Sequence, residues 1–307
     1  MAFGRLEDAP LRLKGENAPR NLRIWIPGEP PRACVLMVHG MGEHIARYDR
    51  TARDLCERGI LAAGADLRGH GPDCPSGRLG FFAESGGWET LLDDVAGEAS
   101  VLRERYPDRP LILLGHSMGS FIAREYAVRH GASLSGLILS GTGNYTKPAL
   151  VSGLMLTRLY PKGRPAPLVD SIAFSGNNRP FKPARTAYDW LTRDESAVDR
   201  YAADPLCGFT FTSGAFRDFF GGILKLTDTK RLDGMPKDLP VLFVSGAMDP
   251  VGQMGRGVEK TAADFRARGM TKVIVRLYPG ARHEVFNETC RDEVLDDVCR
   301  FIGGIAG

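Results

Sequence analysis

One serine motif constrains the fold of this chain more than any other feature of its sequence. Ser117 lies in Gly115-His116-Ser117-Met118-Gly119, directly after the apolar run Leu111 to Leu114. It opens a stretch, Ser117 to His130, in which apolar residues recur three and four positions apart, as on one face of a helix. Glycines two positions before and after a serine let the chain turn sharply from a buried strand into a helix. The motif therefore predicts a strand, a tight turn that presents the serine hydroxyl, and a helix.

The same alternation of strands and helices continues along most of the chain. We predict strands at six apolar runs, which are Cys34 to Val38, Ile60 to Ala65, Leu111 to Leu114, Leu137 to Leu139, Val241 to Val244 and Val273 to Leu277. We predict helices at five amphipathic stretches, which are Tyr48 to Arg58, Trp88 to Tyr106, Ser117 to His130, Val258 to Ala267 and Glu284 to Ile302. Two further strands, Leu11 to Leu13 and Leu22 to Ile26, are expected to be antiparallel. The pattern is typical of an α/β protein with a mostly parallel sheet flanked by helices.

The alternation stops between Asn144 and Asp238, where prolines are frequent. A disordered linker is one interpretation of this segment, but its aromatic content argues against it. We therefore expect residues 1–143 and 239–307 to form the catalytic domain. Residues 144–238 should form a cap, or lid, inserted between two strands of the sheet.

Composition and charge narrow the classes of function. The net charge is only +3 and the basic residues are scattered, so nucleic-acid binding is not expected. The first residues do not resemble a signal peptide and no apolar stretch approaches the length that spans a bilayer, so we expect a cytoplasmic protein. The six cysteines contain no CxxC pair, which favours reduced thiols over a zinc site or a disulfide framework.

A serine hydroxyl needs a base and an orienting acid, and after this type of turn the three residues follow in the order serine, acid, histidine. Among six histidines, His283 alone lies in the last third of the chain. Asp249 follows the strand Val241 to Val244 and is the candidate acid, although it could also cap a helix. Asp233 and Asp238 precede that strand and are poorer candidates.

Acyl transfer also requires hydrogen-bond donors for the oxyanion. The loop His39-Gly40-Met41-Gly42-Glu43-His44 follows an early strand, and we assign the donors to the backbone N–H groups of Met41 and Met118. We expect His39 and His44 to orient this loop or to face solvent rather than to act chemically.

Neither a metal nor a cofactor is expected. His70, in the glycine-rich turn Asp66 to Gly71, lacks further ligands at the spacing of a metal site. No GxGxxG motif follows the first strands, so a dinucleotide cofactor is not indicated either.

Five motifs together resemble one branch of a known fold family. They are HGMGEH at 39–44, DLRGHG at 66–71, GHSMG at 115–119, SGAMDP at 245–250 and PGARHE at 279–284. This set is similar to the monoacylglycerol lipase and lysophospholipase branch of the α/β-hydrolases. The resemblance implies that Ser117, Asp249 and His283 form a catalytic triad. It also implies an oxyanion hole at Met41 and Met118.

The expected cap contains an apolar helical stripe. Phe216, Phe219, Phe220 and Ile223 recur at helical spacing, and a second apolar stretch lies between Leu150 and Leu156. Both stripes could instead pack only against each other or against the main domain. Because the insertion follows a strand that ends near the serine, we expect these four residues to bind an acyl chain. A transient contact of the cap with a membrane surface is left open.

The favoured function is hydrolysis of a carboxylic ester with one long acyl chain, such as a monoacylglycerol or lysophospholipid, through an acyl-serine intermediate. A peptidase or amidase and a short-chain carboxylesterase are alternatives on the same triad. A non-catalytic ligand-binding homologue is less favoured because all three triad positions are occupied. The expected partner is a small lipid or ester substrate, and the oligomeric state is left open.

Overall fold

Eight strands form one sheet in the computed structural model, which describes residues 2–11, 20–75 and 77–307. The strands are β1 Phe3–Leu11, β2 Arg20–Pro27, β3 Ala33–Val38, β4 Ile60–Gly64, β5 Leu111–His116, β6 Gly136–Ser140, β7 Val241–Gly246 and β8 Val273–Tyr278. Their order across the sheet is β1-β2-β4-β3-β5-β6-β7-β8. Strands β3 to β8 run parallel, whereas β1 and β2 are antiparallel to their neighbours. The predicted mostly parallel sheet is confirmed.

The first strand differs from its prediction. The predicted strand Leu11 to Leu13 falls mostly outside the described residues, and β1 instead begins eight residues earlier, at Phe3. Much of β1 is exposed, including Leu6 at 41%, because β1 lies at the edge of the sheet. Pairing with β2, rather than apolar periodicity, holds this strand, so its sequence gives little signal. The predicted antiparallel strand at Leu22 to Ile26 is β2.

Nine α-helices lie in the described part of the chain. They are α1 Asp49–Glu57, α2 Gly87–Arg105, α3 Met118–His130, α4 Lys147–Thr157, α5 Pro167–Phe174, α6 Glu195–Ala203, α7 Ser213–Leu226, α8 Arg256–Ala267 and α9 Arg291–Ala306. The helix predicted from Glu284 starts instead at Arg291, after a single 3-10 turn. The cause is the buried Glu288, whose carboxylate accepts the backbone N–H groups of Arg193, Arg282 and Thr289.

The central strands of the sheet, β3 to β7, are buried on both faces. On one face, Leu36 of β3 packs in a core with residues of α2, α3 and α8. On the other face, Val35 and Met37 pack in a second core with α1 and α9. The central strands are therefore nearly continuous apolar runs, as expected for parallel strands that helices cover on both sides.

Helices α4 to α7 lie between β6 and β7, in the segment 144–238 that the sequence singles out. We call this segment the inter-strand helices. Helix α7 contacts α2, α3 and α4. Whether the segment works as a separate cap stays a prediction at this point. Within the described ranges, none of the helices has the length and apolarity that crossing a membrane requires.

Candidate active site

Ser117 occupies the turn between β5 and α3. Its backbone φ is +51°, a left-handed value that residues other than glycine rarely adopt. The Ser117 N–H donates to the Ser140 carbonyl of β6 over 2.9 Å, and the Ser117 carbonyl accepts from both the N–H and the hydroxyl of Ser120. The neighbouring strand and the first turn of α3 thus hold the serine in a strained conformation, as the motif predicts.

The two glycines of the motif are required by close backbone contacts. A Cβ atom on Gly119 would lie 2.1 Å from the Val38 carbonyl oxygen of β3, and one on Gly115 would lie 2.3 Å from the Gly119 carbonyl oxygen. Neither space admits a side chain. Helix α3 therefore begins in direct contact with the ends of the central strands, and its first residue follows the serine.

His283 and Asp249 form a buried pair at the same end of the sheet. Asp249 follows β7 and His283 follows β8, and the His283 Nδ1 atom lies 3.0 Å from both carboxylate oxygens of Asp249. The Val251 N–H and the Ser245 hydroxyl also donate to this carboxylate, over 2.9 and 3.3 Å. Because Nδ1 faces a carboxylate, it carries the proton of the neutral ring and Nε2 is left as an acceptor.

The electrostatic surroundings distinguish His283 from the neighbouring His116, whose ring centroid lies 4.8 Å away. Burial lowers the pKa of His283, but the Asp249 carboxylate and its hydrogen bond outweigh burial, so the pKa is raised above its ordinary 6.5. Burial and the neighbouring His283 lower the pKa of His116 to about 4. The pKa values of the two neighbouring rings are therefore shifted in opposite directions, and His283 is the ring whose protonated form the site stabilises.

The loop that contains Met41 is fixed on both sides of that residue. The Gly40 N–H donates to the Glu43 carboxylate over 2.6 Å, and the Gly42 N–H donates to the His70 Nε2 atom over 3.3 Å. Met41 lies between them and lines the same cavity as Ser117. Met118 is the first residue of α3, and the first four N–H groups of a helix have no carbonyl partner within it.

The histidines of the early loops have structural hydrogen bonds. His39 Nδ1 lies 2.8 Å from the Gly40 carbonyl and its Nε2 accepts the Leu67 N–H over 2.9 Å. Burial lowers the pKa of His39, and it lowers that of His70 well below the ordinary value. These neutral rings orient the loop, which is the role expected for His39.

One group of residues has the composition of a metal site. His44, Asp204 and Cys207 each bring one potential ligand atom to within 4.8 Å of the others. However, His44 Nε2 is hydrogen-bonded to Asp204 over 2.8 Å, and burial raises the pKa of the Cys207 thiol to about 12. A metal requires the thiolate, so this environment does not favour one.

Two cavities open at Ser117, and both are also lined by Met41. The first, which we call the polar cavity, has a volume of about 360 Å³ and contains His283, Tyr188 and the carboxylate of Asp170. The second, the apolar cavity, has a volume of about 400 Å³. Its walls include the four residues singled out in the sequence, Phe216, Phe219, Phe220 and Ile223 of α7, together with Phe121 and Leu156.

Residues 29–290 match the model of the family described as Serine aminopeptidase, S33. The chain belongs to this serine hydrolase family. Among curated relatives, it is 30% identical to the Monoacylglycerol lipase of Mycolicibacterium smegmatis, over 91% of each chain. It is 27% identical to the Monoglyceride lipase of Mus musculus, over 92% of this chain and 85% of the relative.

A solved structure extends the similarity to the whole fold. A thermostable carboxyl esterase from Bacillus coagulans, crystallised in complex with glycerol, superposes with a TM-score of 0.90 at 30% identity and covers 100% of both chains. The protein is therefore a serine ester hydrolase with the α/β-hydrolase fold, of the monoacylglycerol lipase type, which confirms the resemblance noted in the sequence.

This serine hydrolase also contains a buried ionic network that the sequence did not indicate. Arg47 binds Glu284 through two hydrogen bonds of 2.8 and 2.7 Å and binds Glu43 at 2.5 Å, while Tyr48 donates to Glu43 over 2.9 Å. Burial opposes ionisation of Glu43, but Arg47 outweighs burial and the pKa of Glu43 falls to about 2. The network joins the loop of Met41 to the residue after His283. Both glutamates stand in the motifs quoted above, and Arg47 lies four positions after Glu43.

The loop that precedes α6 also contacts the histidine loop, which the sequence did not indicate. The His283 and Glu284 N–H groups donate to the carbonyls of Trp190 and Leu191, over 3.4 and 2.7 Å. The Trp190 ring centroid lies 5.0 Å from that of His283. The segment between β6 and β7 is thus part of the wall around His283.

Proposed function

We propose that this hydrolase cleaves esters of one long acyl chain with glycerol or a similarly small alcohol, as in a monoacylglycerol. The observation that carries this proposal is the apolar cavity that opens on Ser117. Its volume of about 400 Å³ lies within the usual range of small-molecule sites. Three phenylalanines and an isoleucine of α7 line it together with apolar side chains of α3, α4 and α5, which suits an acyl tail rather than a polar group. The names of the relatives support the same substrate class.

In the proposed reaction Ser117 is the nucleophile and His283 the general base. His283 Nε2 takes the proton from the serine hydroxyl as the oxygen attacks the ester carbonyl. Asp249 holds the Nδ1–H tautomer and stabilises the imidazolium that forms. The N–H groups of Met41 and Met118 stabilise the negative charge on the carbonyl oxygen.

The second half of the reaction releases both products. The intermediate collapses, the alcohol leaves with the proton from His283, and the acyl group remains on Ser117. Water, deprotonated by the same histidine, then attacks the acyl-serine. His283 returns this proton to the Ser117 oxygen as the ester bond breaks and the fatty acid is freed. In this scheme the acyl chain occupies the apolar cavity, and the alcohol occupies the polar cavity beside His283.

We further propose that the inter-strand helices act as a cap that selects the substrate. Five of their large apolar side chains are exposed, and the most exposed are Met155 at 61%, Leu159 at 65% and Ile172 at 60%. An exposed apolar group beside the site of a lipid hydrolase suits transient contact with a membrane surface.

The membrane contact is testable by co-sedimentation with phosphatidylcholine vesicles. The double variant Met155→Ser, Leu159→Ser should lose most vesicle binding but hydrolyse a water-soluble acetyl ester at the wild-type rate. Ile274→Ser, at a position on β8 that is 41% exposed, is the matched control and should bind as the wild type does. Equal vesicle binding by all three proteins would exclude these side chains as the contact.

Hydrolysis of aminoacyl amides is a second candidate, which the family description and one residue favour. Asp170 lines the polar cavity, and burial raises its pKa to about 6, so it is largely ionised above neutral pH and could bind a substrate ammonium group. Short-chain carboxylesterase activity is a third candidate.

A substrate panel with an active-site probe separates these functions. A fluorophosphonate should label the wild type and not Ser117→Ala. Acylglycerols and acylcholines should then be hydrolysed much faster than aminoacyl amides of similar size. Faster cleavage of the amides would favour the peptidase, a preference for acetyl esters would favour a short-chain esterase, and absence of labelling would favour a non-catalytic protein.

A further inference from the structure

A third cavity, of about 220 Å³, lies among α3, α7, α8 and the loop before α4. Phe121, Tyr145 and Ile223 line both this cavity and the apolar cavity. Ser117, Asp249 and His283 are not among the described residues that line it. A ligand bound there would therefore not be the reacting ester group.

The cavity contains a buried arginine that forms no ion pair within the described part of the chain. Burial lowers the pKa of Arg124 to about 10, and the charge of Asp264, which lies beyond ion-pair distance, opposes this shift. The Phe121 ring centroid lies 5.4 Å from the guanidinium carbon of Arg124.

Arg124 is 6% exposed, and its guanidinium donates to the Gly143 carbonyl over 3.1 Å. Its Nε atom has no hydrogen-bond partner, and no carboxylate of the described residues forms an ion pair with it. By contrast, the buried Arg68 and Arg291 pair with Asp94 and Asp54. A guanidinium has five N–H donors, and burying its charge without an anion is costly.

A helix N-terminus faces the same space. Thr146 and Lys147, at the start of the 11-residue helix α4, line the cavity, and the Thr146 side chain does not cap the helix. The first N–H groups of a helix and its dipole attract anions. One carboxylate, that of Asp264, also lines the cavity, and it forms an ion pair with Lys260 at 2.5 Å.

We propose that this cavity binds a small oxyanion of the phosphate or carboxylate class. The anion lies between the Arg124 guanidinium and the N-terminus of α4, with Lys147 nearby. It places a negative charge closer to the Arg124 guanidinium than Asp264 does and accepts hydrogen bonds from the terminal N–H groups of that guanidinium. The anion is a second ligand, distinct from the ester substrate of the proposed function.

The test measures binding of inorganic phosphate and of acetate by calorimetry, with chloride keeping the ionic strength constant. Saturable binding of at least one of them is expected, and the comparison shows whether phosphate or carboxylate is preferred. Arg124→Gln should weaken that binding at least tenfold. Lys182→Gln, which removes an exposed lysine outside the cavity, is the control and should leave it unchanged.

A second variant decides the question if Arg124→Gln does not fold. Among the described residues that line the cavity, Asp264 alone carries a negative charge. Asp264→Asn removes this charge and keeps Arg124, so it should tighten anion binding severalfold. The proposal is overturned if neither anion binds saturably to the wild type. It is also overturned if a folded Arg124→Gln binds as tightly as the wild type, or if Asp264→Asn fails to bind more tightly.

Discussion

The two regions that meet at Ser117 hold their side chains in different ways. At the carboxyl ends of the strands, backbone and polar contacts fix each group, since the strained turn orients Ser117 and the Asp249 carboxylate lies 3.0 Å from the His283 Nδ1 atom. In α7, packing of aromatic rings defines the wall, with Phe220 at 5.6 Å from Phe216 between centroids. Polar geometry tolerates little change, whereas an apolar wall tolerates changes of shape. Substitutions at the strand ends should therefore affect all substrates, and those in α7 should affect only long ones.

The largest effect should follow from Ser117→Ala. Without the nucleophilic oxygen, kcat should fall by a factor on the order of 10⁴ to 10⁶ for acetyl and long-chain esters alike. The measurement is steady-state hydrolysis of both, with circular dichroism as the check that the fold is retained. Substantial remaining esterase activity in a folded variant would remove Ser117 from its proposed role.

Asp249→Asn should have the next largest effect. The amide keeps the shape of the side chain but favours the wrong imidazole tautomer, so kcat should drop by about 10⁴. As a control, Asp233→Asn changes an exposed aspartate that precedes β7 and should leave kcat unchanged. If Asp249→Asn were almost fully active, another residue would have to be the acid.

The double variant Phe220→Ser, Ile223→Ser tests the α7 side of the comparison. Its kcat/KM for long-chain esters should fall severalfold or more, because fewer methylenes are enclosed, while an acetyl ester should stay within a fewfold of the wild type. Leu224→Ser, in the same helix but outside the cavity, is the matched control. Equal losses for both esters would mean that the apolar stripe of α7 is only structural.

The pH dependence should be the most modest effect. His283 accepts the serine proton only when neutral, so kcat/KM should fall as the pH drops through the histidine pKa. Because that pKa is raised, the midpoint of the acid limb should lie above 6.5. In Asp249→Asn burial remains but the raising charge is lost, so the midpoint of the residual activity should shift to lower pH. A wild-type profile flat down to pH 5 would exclude histidine as the base.

The sequence predicts the two regions unequally well. The parallel strands could be read from apolar runs, and the order of serine, acid and histidine selected the pair that the structure brings together. Partners distant in the chain could not be found in this way: Arg47 and Glu284, for example, are 237 positions apart. Similarly, helical spacing identified the stripe in α7, but only the packed structure shows that it faces a cavity beside Ser117. Edge pairing and loop contacts, which set the starts of β1 and α9, carry little periodic signal.

The most direct test of the account is kcat/KM for 1-acylglycerols from acetyl to lauroyl. Each methylene that enters the apolar cavity should contribute up to roughly 0.8 kcal/mol, so kcat/KM should rise about three- to fourfold per carbon and then level off when the cavity is full. Fluorophosphonate treatment should abolish hydrolysis along the whole series. A kcat/KM that is flat or falls with chain length would contradict the proposal that this serine hydrolase selects a long acyl chain.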